Sequence, residues 1–309
     1  MRSHAPYVGR FAPSPTGPLH FGSLVAAVAS YADARRAGGR WLVRIEDIDT
    51  PRCSKAAALE ILRQLAVYGF AADGAVIRQS ERHERYDAAL GQLGEGRRLF
   101  ACACTRKMLE HAPRNASGEI IYPGRCRALA ITHKARATAL RLTVHDDADA
   151  HVTFTDRALG TFTQNVATDV GDFVLRRADG LYAYQLAVVV DDGEQSVTDV
   201  VRGADLLMNT PRQIYLQRLL GCAAPSYLHV PLATNEAGEK LSKQTRALAI
   251  ADDNAITTLN LAWAFLGQPK MEHLASVTHF WQQAIAHWNP TLIRPLEGTI
   301  GATRNAGPQ

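Results

Sequence analysis

The spacing of apolar residues changes along the chain, and the changes divide it into elements. Val8–Phe11 is short and apolar-rich and reads as a strand. From Leu19 to Ala37 the apolar residues Leu24, Val25, Val28 and Tyr31 keep a helical spacing, and Gly38-Gly39 closes the segment. "RWLVRIED" comes next as a buried strand whose apolar run ends in charge. Strand, helix and strand in succession predict a βαβ unit with parallel strands and a right-handed crossover. Ser54 is placed to cap a second helix, "KAAALEILRQLAVYG", which Gly69 ends, and a third helix covers Arg82–Leu93.

Residues 102–126 break this α/β rhythm. After them "ALRLTV", "HVTFTD" and "GTFTQNV" alternate as strands do, and "DFVLRRADGLYAYQLAVVVDD" reads as a hairpin turning at Asp179-Gly180. "TDVVRGADLL" is a further strand leaving into a loop. Thr210-Pro211 starts a helix with proline at its first position. "YLHVPLATNEAGEKLSKQ" is a strand, a tight turn and a lysine-bearing loop, and two helices come after it near 257–267 and 272–288. The expected organisation is a first α/β half (1–101), an interrupting segment with its strands (102–190) and a second α/β half (191–250). C-terminal helices (251–297) and a disordered tail (298–309) complete it. There is no internal repeat.

Composition adds limits. With 309 residues, 47% apolar and 21% charged, the chain has material for one large or two modest globular domains. No window approaches the ~20 apolar residues of a membrane span. The start "MRSHAPYVGRFAPSP" lacks the apolar core of a signal peptide, so a cytoplasmic protein without membrane contact is expected. The net charge of +4 permits a polyanionic partner without requiring one. The basic runs "RCRALAITHKARATALR" and "LVRIEDIDTPRCSK" are as compatible with solvated helix faces as with binding.

"RFAPSPTGPLHFGS", Arg10–Ser23, carries the first candidate chemistry. Pro13, Pro15 and Pro18 fix φ and remove three backbone donors, so the loop has few alternative shapes. Gly17 and Gly22 permit sharp turning and close approach of a ligand. His20 falls at the helix start, where free N–H groups and the helix dipole favour phosphate, and an imidazole there can donate to a phosphate oxygen. A plain surface cap is the competing reading. Far along the chain "KLSKQ", Lys240–Gln244, sets two lysines around a serine, alone no more than solvated charge.

Five cysteines are an odd number for a disulfide framework, and Cys102, Cys104 and Cys126 lie close together. In a reducing compartment such a trio reads as metal ligands, and structural Zn²⁺ wants a fourth in a tetrahedron. Chemistry alone favours His111, because imidazole binds zinc more readily than phenol; three unligated thiols remain the plainer alternative. Cys53 and Cys222 read as small buried residues.

Together, "PSPTGPLHFGS" before a βα helix and "KLSKQ" far downstream resemble the paired signature motifs of class I aminoacyl-tRNA synthetases. "RFAPSPTGPLHFGS" and "VRIEDIDTPR" narrow the resemblance to the glutamyl/glutaminyl branch. "RQSER", "AYQLAVVVDD", "VVRGADLL" and "TPRQIYL" come in the family's order, so the resemblance covers Val8 to about Leu248. Only a short stretch lies beyond the lysine loop, where a full glutamyl-tRNA synthetase continues into a helical anticodon-binding region. The chain thus resembles the short paralogue family, the glutamyl-queuosine tRNA(Asp) synthetases. That family activates L-glutamate with ATP without needing tRNA and attaches it to the queuosine base at the wobble position of tRNA(Asp).

The resemblance implies a class I Rossmann-like parallel sheet with a zinc-bearing insert, a short helical end, no anticodon-binding domain and a monomer. It implies His20 and Lys243 as catalytic groups, one stabilising the α-phosphate and the other the departing pyrophosphate. Pro13, Ser14, Gly17, Gly22, Ser23 and Lys240 join them around ATP. A glutamate ligand needs arginine for its carboxylates and an acid for its ammonium. Arg10 and Arg202 fit the first need and Glu46 the second; Phe11, Ala12, Pro13, Ser14 and Tyr184 complete the pocket. Mg²⁺ is implied as the partner of ATP, with no protein ligand identifiable. For zinc, "YPGRCR" matches the segment where this family uses a tyrosine oxygen, which implies Tyr122 beside Cys102, Cys104 and Cys126. Three readings compete: a truncated glutamyl-tRNA synthetase charging the tRNA 3′ end, an inactive tRNA-binding module, and a general nucleotidyltransferase.

Overall fold

The computed structural model describes residues 6–115, 118–129, 138–233 and 249–293. The expected βαβ unit is present: β1 (Val8–Phe11), α1 (Phe21–Arg36) and β2 (Arg40–Ile45), with β1 and β2 parallel. Ser54 caps α2 (Lys55–Val67) by accepting from the Ala57 N–H at 3.1 Å. β3 (Ile77–Arg78) and α3 (His83–Glu95) complete the first half.

β4 (Leu99–Cys102), β5 (Ala139–Leu142) and β8 (Phe173–Arg176) form a small antiparallel sheet of their own. Between them β6 (His151–Asp156) and β7 (Gly160–Asn165) make a hairpin that joins the main sheet at its edge, and the single turn α4 (Val166–Asp169) comes directly after it. The interrupting segment is therefore not spatially separate from the α/β body. α5 (Tyr184–Glu194), β9 (Asp199–Gly203), α6 (Thr210–Leu220), β10 (Ser226–Val230), α7 (Ala255–Phe265) and α8 (Val277–His287) complete the order.

The main sheet runs β3-β2-β1-β9-β10-β6-β7, with every neighbouring pair parallel except β6 and β7. Helices cover both faces. One apolar cluster joins α1 to the C-terminal helices through Trp41, Trp263, Phe280 and Trp281. The other joins α3, α5 and α6 through Tyr86, Val188 and Tyr215. The C-terminal helices thus share the core of the first half. Trp281 donates to the Tyr68 carbonyl at 2.9 Å, and Trp288 to Asp33 at 2.8 Å.

The hairpin expected over residues 172–192 is corrected. The chain does turn at Asp179-Gly180, with Arg177 N–H bonded to the Leu181 carbonyl at 2.8 Å, but the segment after the turn is α5, a helix. A continuous apolar run such as Leu186–Val190 has no period that separates a strand from a fully buried helix, and its β-branched residues favour the wrong answer. Burial on all sides decides it: residues Leu186 to Asp192 are all buried. A strand would send Asp191 and Asp192 to opposite faces, whereas the helix turns both toward arginine partners. The last helix is shorter than expected, beginning at Val277.

Candidate active site

β1 and β9 are neighbours, and the chain leaves them for opposite ends of the sheet order. In open parallel sheets that switch point, at the carboxyl ends of the strands, leaves a crevice. Here it is a cavity of about 830 Å³, lined by Arg10 and Phe11 from the end of β1 and by Arg202 and Gly203 from the end of β9. Gly203 is needed there: a Cβ would lie 2.6 Å from an Asp205 carboxylate oxygen and 3.1 Å from Leu232.

The proline-rich loop forms one wall. Its carbonyls are held from outside: Glu46 N–H donates to Pro13 at 3.0 Å and Ser54 N–H to Pro15 at 3.0 Å. Leu19 N–H donates to the buried Gln64 side chain at 2.7 Å. His20 is the residue just before α1, one position earlier than a first-turn placement, and its Nδ1 accepts from Ser23 N–H at 3.3 Å. In the neutral ring that leaves the proton on Nε2, 3.1 Å from the Ser23 hydroxyl. His20 both caps the helix and lines the cavity.

Ala12, Pro13, Ser14, Gly22 and Ser23 line the cavity with His20. Glu46, Tyr184 and Arg202 line it from three other elements; Gly17 is not among its lining residues. Lys240 and Lys243 lie outside the described residues. The residues flanking that segment converge on the site: Ala233 lines the cavity, and Ala249 forms a β-bridge with His20.

Beneath the cavity lies a buried charge network. Asp192 receives Arg10 Nε at 3.2 Å and Arg44 Nη1 at 2.8 Å, and Arg44 also reaches Glu46 at 3.2 Å. Arg44 is fully buried and Arg10 nearly so. Burial pushes the Asp192 carboxyl up, but Arg10 and Arg44 outweigh it and hold it below the usual carboxylate range. In Glu46 burial wins, and its pKa is raised despite Arg44 and Arg10. The contrast comes from partners: Asp192 has two cations, while Glu46 has one bond at 3.2 Å and its other oxygen has no partner among the described residues. Likewise the terminal nitrogens of Arg10 have no hydrogen-bond partner among the described residues. Burial lifts the Tyr184 hydroxyl pKa, keeping it a donor.

Sequence reasoning missed Arg44, Asp191 and Asp192. The available signal was charge inside apolar runs, "WLVRIE" and "AVVVDD", since buried charges are paired or functional. Asp49 lines the cavity with Arg52 and Arg177, both of which pair with it.

The cysteine segment closes into one cluster. The sulfurs of Cys102, Cys104 and Cys126 lie within 4.8 Å of one another, and His111 is not in the group. The Tyr122 hydroxyl is 3.4 Å from Cys102 and 3.7 Å from Cys104, while the Cys104 and Cys126 sulfurs are 3.5 Å apart. Ligands of a tetrahedral Zn²⁺ with Zn–S of about 2.3 Å are separated by roughly 3.5–3.8 Å. A Cys₃Tyr donor set therefore fits zinc, and the distances are far too long for a disulfide. Tyr122 also accepts the Cys126 N–H at 2.8 Å, and the Arg141 guanidinium lies 4.1 Å from its ring centroid. Both favour negative charge on the donor set.

Residues 7–265 match the family described as tRNA synthetases class I (E and Q), catalytic domain. A glutamyl-Q tRNA(Asp) synthetase of Thiobacillus denitrificans is 56% identical over 285 residues, covering 91% of this chain and 93% of that protein. The chain belongs to the glutamyl-Q tRNA(Asp) synthetase family of class I enzymes. It is a ligase. The glutamyl-Q tRNA(Asp) synthetase of Dechloromonas aromatica is 54% identical, covering 92% of this chain and 95% of that one. Among solved structures, a glutamate-tRNA synthetase of Elizabethkingia anophelis shares the fold, with a TM-score of 0.75 at 23% identity. That match covers 95% of this chain and 68% of the other. The expected α/β class and synthetase family are borne out. Among the described residues, no helix is long and apolar enough to cross a membrane.

Proposed function

We propose that the protein activates L-glutamate with ATP, without tRNA, to glutamyl-adenylate. It then transfers the glutamate to the queuosine base at the wobble position of tRNA(Asp), working in the cytoplasm. The observation that carries this reading is the single cavity at the switch point, where Arg10, Arg202, Glu46, Tyr184 and His20 meet. The names of the relatives support the acceptor.

An oxygen of the glutamate α-carboxylate attacks the α-phosphorus of ATP, the bond to the bridging oxygen breaks, and pyrophosphate leaves. The carboxylate is ionised at neutral pH, so no general base is required. Catalysis is positioning plus stabilisation of phosphate charge. Arg10 and Arg202 receive the carboxylates, the open oxygen of Glu46 takes the ammonium, and Tyr184 donates a hydroxyl hydrogen bond. His20 offers Nε2–H to the α-phosphate, with Ser14, Gly22 and Ser23 alongside, and Lys243 and Lys240 meet the pyrophosphate. A hydroxyl of queuosine then attacks the glutamyl carbonyl carbon, an ester forms and AMP leaves. Cys102, Cys104, Cys126 and Tyr122 would hold one Zn²⁺, which supplies a structural cross-link to a segment too small for a core of its own. Mg²⁺ would enter with ATP.

The test is ATP–pyrophosphate exchange with and without tRNA, and then labelled glutamate offered to tRNA(Asp) with or without queuosine. Exchange that depends on glutamate alone, and label retained only on the queuosine-bearing tRNA, is expected. Exchange that requires tRNA, or label on the 3′-terminal adenosine, would overturn the reading in favour of a 3′-end synthetase. Absence of exchange would favour an inactive tRNA-binding module.

A further inference from the structure

Behind the cavity wall lies a row of buried polar groups that no step above uses. Arg202 has five N–H donors. Nε donates to His229 Nε2 at 3.0 Å, Nη1 to Gln213 Oε1 at 2.7 Å and Nη2 to Thr210 Oγ1 at 2.9 Å. The Leu206 carbonyl takes Nη2 only at 3.4 Å. Every one of these acceptors is neutral, and among the described residues no carboxylate pairs with Arg202. Arg10 is different, because its Nε rests on Asp192. Arg202, 5% exposed, is thus a buried cation held only by neutral acceptors among the described residues.

His229 on β10 makes that possible. Its Nδ1 is 2.7 Å from an Asp156 carboxylate oxygen, which also accepts the His229 backbone N–H at 3.0 Å. The other Asp156 oxygen accepts the N–H groups of Ala158 and Leu159 at 3.0 and 2.9 Å, so the carboxylate cannot rotate away. Arginine has no acceptor, so Nε2 meets Arg202 with its lone pair and the ring proton sits on Nδ1. Burial first, then the Arg202 charge, hold the imidazole pKa down to about 4 against the pull of Asp156, which keeps the ring neutral. A carboxylate at this position would pair with Arg202 and cancel its charge, and a cation would repel it.

We infer that His229, oriented by Asp156, is a positioning residue that fixes the Arg202 guanidinium while leaving its charge and its remaining Nη1 N–H to a ligand carboxylate. This rests on the glutamate-pocket reading for the identity of that ligand. The test has two arms. In wild-type protein, ¹⁵N NMR of the His229 ring at neutral pH should show Nδ1 protonated and Nε2 bare; a proton on Nε2 overturns the inference whatever the substrate. In ATP–pyrophosphate exchange, His229→Phe should raise KM for glutamate about tenfold or more and leave KM for ATP within about twofold, as loss of a hydrogen bond to a charged group implies. His229→Gln, whose amide can donate to Asp156 and accept from Arg202, should bring the glutamate KM back to within about threefold of wild type. Unchanged glutamate KM in folded His229→Phe overturns the inference, as does an equal rise in both KM values. Should His229→Phe fail to fold, failure of a folded His229→Gln to keep near-wild-type glutamate KM, or the wrong tautomer, overturns it. Wild-type protein without glutamate-dependent exchange would instead refute the pocket reading and leave the tautomer result standing.

Discussion

Asp192→Asn removes one charge from the network under the cavity with almost no change in volume. Arg10, Arg44 and Arg82 face Glu46, Asp191 and Asp192, and Arg82 also pairs with Glu194 at the exposed end. Neutralising Asp192 leaves Arg44, 0% exposed, and Arg10, 3% exposed, short of one anion. An asparagine oxygen can accept from one of the two arginines, and its NH₂ then faces the other. Removing one partner of a buried ion pair costs about 3–5 kcal/mol, and the retained acceptor places this variant near about 3 kcal/mol. For a protein of this size that lowers Tm by about 5–10 °C. Because the folded-state pKa of Asp192 is depressed, the native state binds fewer protons than the unfolded chain. Its contribution is present above the ordinary carboxylate pKa of about 3.9 and is lost as pH falls through the lower native value. The difference between wild type and variant should therefore be flat from about pH 5 upward and shrink in acid. Thermal denaturation monitored by circular dichroism across that range measures it. A Tm within about 1 °C of wild type at pH 7, or a difference that grows on acidification, refutes the assignment of Asp192 as the anion that compensates Arg10 and Arg44.

Arg202→Ala should weaken glutamate binding severely, by about a hundredfold or more in KM, with ATP affinity nearly intact, measured by pyrophosphate exchange; an unchanged glutamate KM removes Arg202 from the pocket. Glu46 has a raised pKa in the free protein, so kcat/KM for glutamate should fall with acid through an ionisation above the ordinary value of about 4.3; Glu46→Gln should abolish that limb and cost at least tenfold in kcat/KM. Gently purified protein should contain about one zinc per chain, lost on chelation with a drop in Tm, and Cys126→Ser should lower that content; metal near zero in the native preparation counts against the Cys₃Tyr site.

The local signals in this sequence held where short-range physics decides structure. The period of Leu24, Val25, Val28 and Tyr31, the cap at Ser54 and the proline at the start of α6 each act within a turn or two, and each element formed where expected. The motif residues Arg10, His20, Glu46, Tyr184 and Arg202 were legible through the family resemblance, and the fold places them around one cavity. What no local signal contained was the company they keep. Asp192 lies 182 positions from Arg10, and Asp156 lies 73 from His229, so only the parallel sheet and the helices across its faces bring them within hydrogen-bond distance. The same long-range burial turned "YQLAVVVDD" into a helix against its β-branched residues, because a segment enclosed on all sides takes the conformation that satisfies its buried charges. Sequence by itself determined which chemical groups were available and where the chain could turn. Tertiary structure decided which charges pair and which line the cavity, because electrostatic energy depends on separation and burial in space and not on distance along the chain.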